Sequence, residues 1–149
     1  MSRWRTAEDR PLFVYGSLQF PSVHGMVLGR APSFEDHELR GWAAVRLEGR
    51  AFPALLPSPT HTTGGRLFVD LTPHDRAVLD SFEGPFYDLA IVRLSDGTEA
   101  ATYVANEQAP LLLEDGATTA WSAEVFRRDG LRDYEARLRV WLSRADDSA

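Results

Sequence analysis

The pattern of apolar and polar positions predicts short strands separated by turns, with helices in the middle and at the end of the chain. Leu12 to Tyr15 is a continuous apolar run that stops at Gly16, the signature of a buried strand. Pro21 to Pro32 contains Gly25 and Gly29 between its two prolines and reads as mostly irregular. Phe34 to Leu47 is rich in β-formers and predicts one long or broken strand with a bulge at Gly41. Pro53, Pro57 and Pro59 then argue against a central strand and for a loop. Beyond Gly64-Gly65, Leu67, Val69 and Leu71 alternate with Phe68 and Asp70 at the period of a strand.

A helix starts at Thr72. Its hydroxyl can cap free N–H groups, Pro73 suits the first helical position, and Asp75 places negative charge where the dipole favours it. Val78 and Phe82 share one face, and Gly84-Pro85 ends the helix. Tyr87 to Leu94 and Thr98 to Ala105 flank Ser95-Asp96-Gly97 and predict a hairpin. After Gly116 a short helix is expected near Ser122 to Arg128. Asp129-Gly130 separates it from a last helix in which Leu131, Tyr134, Leu138, Trp141 and Leu142 recur at helical spacing. Tyr134 and Trp141 are expected to pack that helix onto the rest, outside any site. Without repeats, low-complexity tracts or linkers, residues 1–149 read as one domain.

Composition removes whole classes of chemistry. Cysteine is absent, which excludes disulfides, thiolate nucleophiles and Cys-ligated metals. Lysine is absent too, since all 16 basic residues are arginine. That removes Schiff-base catalysis, a pyridoxal-phosphate anchor and a P-loop lysine. The four histidines are spaced by 13, 24 and 13 residues and put no pair on one helical face, so no metal site is expected. A net charge of −6 with scattered arginines argues against nucleic acid as a partner. No apolar run approaches the ~20 residues of a membrane span, and Arg3, Arg5, Glu8, Asp9 and Arg10 interrupt any signal-peptide pattern at the start. A cytoplasmic location with no membrane partner is the expectation.

Two segments carry candidate chemistry. The strand that ends in Tyr15-Gly16-Ser17-Leu18 can gather unpaired backbone N–H groups into an anion cradle. Leu79-Asp80-Ser81-Phe82-Glu83-Gly84 puts Glu83 at a helix C-terminus among Phe82, Phe86 and Tyr87. Both the helix dipole and the apolar setting should raise its pKa. Asp80, one helical turn before Glu83, could share a proton with it or repel it; the favoured reading is a brace that accepts hydrogen bonds from backbone or an arginine. Ser17 lacks the Gly-x-Ser-x-Gly elbow of a nucleophile. Tyr87 suits either a pocket wall with a polar tip or a plain strand position.

These segments occur in a familiar order. Tyr15-Gly16-Ser17-Leu18, Phe52-Pro53-Ala54-Leu55, Gly65-x-Leu67-Phe68-Val69, Leu79-Asp80-x-x-Glu83-Gly84 with Tyr87, and Tyr103-Val104 resemble gamma-glutamylcyclotransferase-like proteins. The resemblance is to the branch with avirulence-induced-gene-like proteins and gamma-glutamylamine cyclotransferases, and covers Leu12 to Ala105. It implies an α+β fold: a compact mixed, mainly antiparallel β-barrel over about residues 12–105, a few helices, a cavity at one side, and a helical segment at 116–149. It also implies a cofactor-free reaction on a small molecule with a γ-glutamyl group. The substrate's own α-amine closes on the γ-carbonyl to give 5-oxoproline and releases an amine. Glu83 would be the catalytic base and then acid. Tyr15, Gly16, Ser17, Leu18 and Tyr87 would bind substrate, the turn holding either its α-carboxylate or the oxyanion. The rival readings are a related acyl transferase or hydrolase, and a carboxylate-binding protein without turnover. An open cavity joining Glu83 to the Ser17 turn would favour an enzyme. Related sequences often have a basic residue two positions after the tyrosine, where this chain has Leu89.

Overall fold

A computed structural model describes residues 3–7 and 10–147, so Glu8, Asp9 and both ends of the expected domain lie outside the described residues. Five strands form one mixed sheet in the order β2-β3-β1-β5-β4: β1 Leu12–Val14, β2 Phe34–Arg46, β3 Pro53–Phe68, β4 Tyr87–Arg93 and β5 Glu99–Ala105. Only the β1–β5 pair is parallel. The helices are α1 Pro21–Leu28, α2 Pro73–Glu83, α3 Ala123–Asp129 and α4 Leu131–Asp147. A two-stranded ribbon, β6 Leu113–Glu114 and β7 Ala117–Thr118, lies outside the main sheet.

The central strand explains its own sequence. Successive residues of β1 point to opposite faces, and both faces are covered. Leu12 and Val14 join one buried cluster with Leu18, Val23, Leu79 and Tyr103. Phe13 and Tyr15 join another with Leu39, Leu55 and Leu67. A strand buried on both sides has no polar alternation to show, hence the unbroken apolar run.

The sheet is curled but is not a closed barrel, which corrects the expected architecture. Its edges are β2 and β4. Where closure would occur, the Ser95 N–H donates to the Glu38 carbonyl at 2.9 Å from the hairpin turn. The far half of β2 is covered by the 110–121 segment instead, through Leu112 N–H to Arg46 C=O and Arg46 N–H to Thr119 C=O.

Two further expectations fail for local reasons. Pro21 to Pro32 is not mostly irregular. Pro21 occupies the start of α1, where its missing N–H costs nothing, and Val23, His24 and Val27 bury one face. Pro53 to Pro59 is not a loop but the first half of β3. The β1 pairing reaches only Arg66 to Phe68, so Pro53 to Pro57 are paired to β2 on one side alone, and Pro59 falls in the stretch 58–61 between the two registers of that ladder. Prolines are tolerated there because no second ladder asks for their N–H.

The alternation expected through Leu67, Val69 and Leu71 breaks off, since β3 ends at Phe68 with Leu67 and Phe68 both buried, and the remaining boundaries lie close to those the sequence predicts. Thr72 and Asp75 form a reciprocal capping box at the start of α2, the register of β2 shifts between Arg40 and Trp42 around Gly41, and the 94–98 turn joins β4 to β5.

Candidate active site

A cavity of about 410 Å³ lies beside the end of β1, within the roughly 300–1,000 Å³ usual for small-molecule sites. It joins the two segments singled out in the sequence: Tyr15, Gly16, Ser17 and Leu18 on one side, Glu83 and Tyr87 on the other. The loop before β3 supplies Arg50 and Phe52, the strand's first residue is Pro53, and α4 supplies Asp133, Tyr134, Arg137 and Trp141.

The Tyr15–Leu18 turn is a short 3₁₀ turn over Ser17–Gln19. Its first internal bond is Gln19 N–H to Gly16 C=O. The N–H groups of Ser17 and Leu18 precede that bond and have no partner within the turn. Gly16 is required by closeness. A Cβ there would stand 2.9 Å from Cδ of Pro53. Beneath the turn, the buried His24 ring bonds the Leu18 carbonyl through Nδ1 at 2.8 Å, and Arg66 donates to the Gln19 carbonyl at 2.8 Å.

Glu83 ends α2, and Gly84 follows with φ +73°, a left-handed conformation that lets the chain turn at once toward β4. A 3₁₀ turn over Gly84–Phe86 brings Tyr87 back beside it. The Glu83 side chain faces the cavity and is half-buried, enclosed by Phe82, Tyr87 and Tyr103. Among the described residues it has no hydrogen-bond partner in the protein. Burial pushes its carboxyl up to about 8; the Arg3 guanidinium pulls it down and the Asp80 charge pushes it further up. The expected direction is right, and the dominant cause is the apolar enclosure.

The helix end is in fact neutralised by a residue that sequence reasoning left aside. Arg3, in a 3₁₀ turn over Arg3–Thr6, donates through Nη1 to the Gly84 and Tyr87 carbonyls, each at 2.8 Å. It also donates through Nη2 to the Asp80 carbonyl and through Nε to Asp80 Oδ1 at 2.7 Å. Tyr103 donates to the same carboxylate oxygen at 3.2 Å, and its own hydroxyl accepts from Trp4 Nε1 at 3.1 Å. Asp80 is therefore a bonded brace under Glu83. A separation of 77 residues gives no spacing signal for such a pair.

The tyrosines serve as wall and scaffold. Tyr87 donates its hydroxyl to the Pro53 carbonyl at 2.7 Å, and Tyr15 donates to the Tyr103 carbonyl at 2.6 Å. Burial raises the pKa of both, so both stay neutral. Ser17 donates to the Tyr134 hydroxyl at 3.1 Å, and among the described residues no histidine lines the cavity, so the serine lacks the imidazole partner of a nucleophilic serine. Tyr134 and Trp141, expected to be packing residues only, line the cavity. Leu89 packs against the core rather than lining it. Among the described residues, no three potential metal ligands cluster, and no helix is long and apolar enough to cross a membrane.

Residues 12–123, which include the Tyr15–Leu18 turn, Glu83 and Tyr87, match the model of the family described as "Gamma-glutamyl cyclotransferase, AIG2-like". The chain belongs to this family. Among its AIG2-like relatives, the chain is 32% identical over 137 residues to "AIG2-like protein C" of Arabidopsis thaliana, covering 88% of this chain and 77% of that one. An Arabidopsis thaliana protein known from its solution structure matches with a TM-score of 0.62 and 27% identity over 84% of this chain and 85% of that one. A structure titled "Gamma-glutamyl cyclotransferase" shares the fold, with a TM-score of 0.57 and 15% identity over 87% and 86% of the two chains. These likenesses bear out the resemblance seen in the motifs and the α+β class. The AIG2-like match ends before α4, so part of the cavity wall lies beyond it.

Proposed function

We propose that this protein cyclises a γ-glutamyl compound to 5-oxoproline and releases the amine, with Glu83 carrying the proton. The observation that carries this reading is one carboxyl, raised to about 8, that shares a cavity with the Tyr15–Leu18 turn. In the reaction the substrate's α-nitrogen bonds to its own γ-carbonyl carbon, and the bond from that carbon to the departing nitrogen breaks. No water is consumed. From ammonium to ring amide the α-nitrogen loses two protons, and the leaving nitrogen gains two as it departs as an ammonium; Glu83 relays them one at a time, as base toward the first nitrogen and acid toward the second, so protons balance within one turnover.

The raised pKa suits both halves of this exchange. An enclosure that disfavours charge on Glu83 makes it a stronger base toward a substrate ammonium, because transfer of the proton neutralises both groups at once. The same carboxyl, once protonated, is an acid near neutrality. Ring closure is intramolecular, so a cavity that holds the chain folded removes much of its entropic barrier. In this reading the N–H groups of Ser17 and Leu18, unpartnered within their turn, hold the α-carboxylate or the oxyanion, and Tyr87 lies beside Glu83.

The test is 5-oxoproline release from a panel of γ-glutamyl amino acids and amines, with Glu83→Gln in parallel. Release that vanishes in the folded variant is expected. Release that persists in Glu83→Gln overturns the role of Glu83, and no release across the panel overturns the reaction.

A further inference from the structure

Four charged side chains line the cavity: Glu83, Arg50, Asp133 and Arg137. Asp133 and Arg137 face each other across one turn of α4, with Nε to Oδ2 at 3.0 Å. Arg50 has no such counterpart. Among the described residues its guanidinium makes no ion pair. It donates to the Glu48 carbonyl at 3.2 Å and lies 5.1 Å from the centre of the Phe86 ring. Phe86 immediately precedes Tyr87, so this contact sets Arg50 at the end of the cavity that Tyr87 bounds. The loop is held in place: Trp121 Nε1 donates to the Ala51 carbonyl at 2.8 Å and Glu48 N–H to the Pro110 carbonyl at 2.7 Å.

Charge bookkeeping then separates two kinds of substrate. In a γ-glutamyl amide the α-ammonium and α-carboxylate cancel. If the leaving amine carries no charge, nothing on it pairs with the exposed Arg50 guanidinium. A carboxylate on the leaving amine answers it with a charge-assisted hydrogen bond, and guanidinium geometry suits that partner.

We propose that Arg50 is a specificity-determining residue that selects leaving amines bearing a carboxylate, so that the preferred substrates are γ-glutamyl amino acids or peptides rather than γ-glutamyl monoamines. This rests on the cyclotransferase reading of the same cavity. The Phe82 and Trp141 rings, edge to face with centroids 6.0 Å apart, give the leaving group's side chain an apolar wall.

The experiment uses two compounds that differ by one carboxylate, γ-glutamyl-phenylalanine and γ-glutamyl-phenethylamine. The ratio of their kcat/KM values for 5-oxoproline release is measured in wild type, Arg50→Met and Arg50→Lys. Wild type is expected to favour the acid by roughly tenfold, the scale of one charge-assisted contact at a partly exposed site. Arg50→Met should bring the ratio to near one, and Arg50→Lys should keep part of it. Binding of both compounds to Glu83→Gln, with and without Arg50→Met, is measured by calorimetry alongside. A wild-type ratio near one overturns the proposal. So does an equal loss on both compounds in Arg50→Met, which would assign Arg50 to the glutamyl part. If neither compound releases 5-oxoproline, the cyclotransferase reading fails separately. Tighter binding of the acid that depends on Arg50 then still supports the recognition, and equal or absent binding overturns it.

Discussion

The floor and the wall of the cavity are built by different means. The floor is Glu83 and the Tyr15–Leu18 turn, held from below by a bonded network: Arg3 on Asp80, Gly84 and Tyr87, Tyr103 on Asp80, Tyr87 on Pro53, and His24 on Leu18. The wall is the face of α4 that carries Asp133, Tyr134, Arg137 and Trp141. Among the described residues, its hydrogen bond to the floor is Ser17 to Tyr134. A carboxyl that must move protons within tenths of an ångström needs the first kind of support. A surface that meets variable leaving groups tolerates the second. The contrast predicts that floor substitutions act on chemistry or folding and wall substitutions act on substrate binding.

The sharpest break is Glu83→Gln. It should lower kcat about 10²- to 10⁴-fold, the usual worth of general acid–base catalysis, with circular dichroism unchanged. The same variant should change stability with a defined sign. Glu83 has its pKa raised on folding, so the folded state holds its proton more tightly and loses stability as pH rises from the ordinary carboxylate range to about 8. Urea unfolding should therefore show Glu83→Gln gaining on wild type across that window and levelling off above it.

Next is the network under the floor. Asp80→Ala leaves the Arg3 guanidinium without its carboxylate and should cost roughly 3 kcal/mol in denaturant unfolding. The milder Asp80→Asn removes the charge that raises Glu83 and leaves the Arg3 charge that lowers it. The acid limb of the kcat/KM profile, expected near pH 8 in wild type, should move to lower pH. A limb that stays in place would detach Asp80 from the function of Glu83.

Gly16→Ala should come third. The added Cβ presses on Pro53 and must shift the turn. We expect kcat to fall on the order of tenfold with a small loss of stability, since misplaced positioning groups cost rate before they cost fold. Smallest is the wall. Tyr134→Phe removes the acceptor of one half-exposed hydrogen bond and should cost about 0.5–1.5 kcal/mol at most. Its kinetic effect should appear in KM rather than kcat. A large kcat loss in Tyr134→Phe would erase the distinction between floor and wall.

The same division governs what the sequence disclosed. Thr72, Pro73 and Asp75 announce α2 because capping is a contact among neighbours in sequence, and Asp96-Gly97 announces its hairpin for the same reason. Glu83 and the Tyr15–Leu18 turn are legible as motifs because each is a contiguous segment with local chemistry. Arg3 is not, since its partners lie 77 to 84 residues away. Tyr134 and Trp141 carry an ordinary amphipathic pattern, and only the docking of α4 makes their face a cavity wall. The prolines of β3 misled because a proline reports a missing donor, and whether that donor was needed depends on which strand lies alongside. Closure of the sheet failed for a related reason: strand count and curl are local, and the last seam is not.

Those prolines have a consequence for life in a crowded solution. An open sheet exposes rows of unpaired amide and carbonyl groups, and such rows template aggregation with other chains. Along the half of β3 that β1 does not reach, the exposed Pro57 and Pro59 withhold two of the N–H groups that an incoming strand would need. The break in the pattern that hides this strand from a reader of the sequence also hides its edge from a wandering polypeptide.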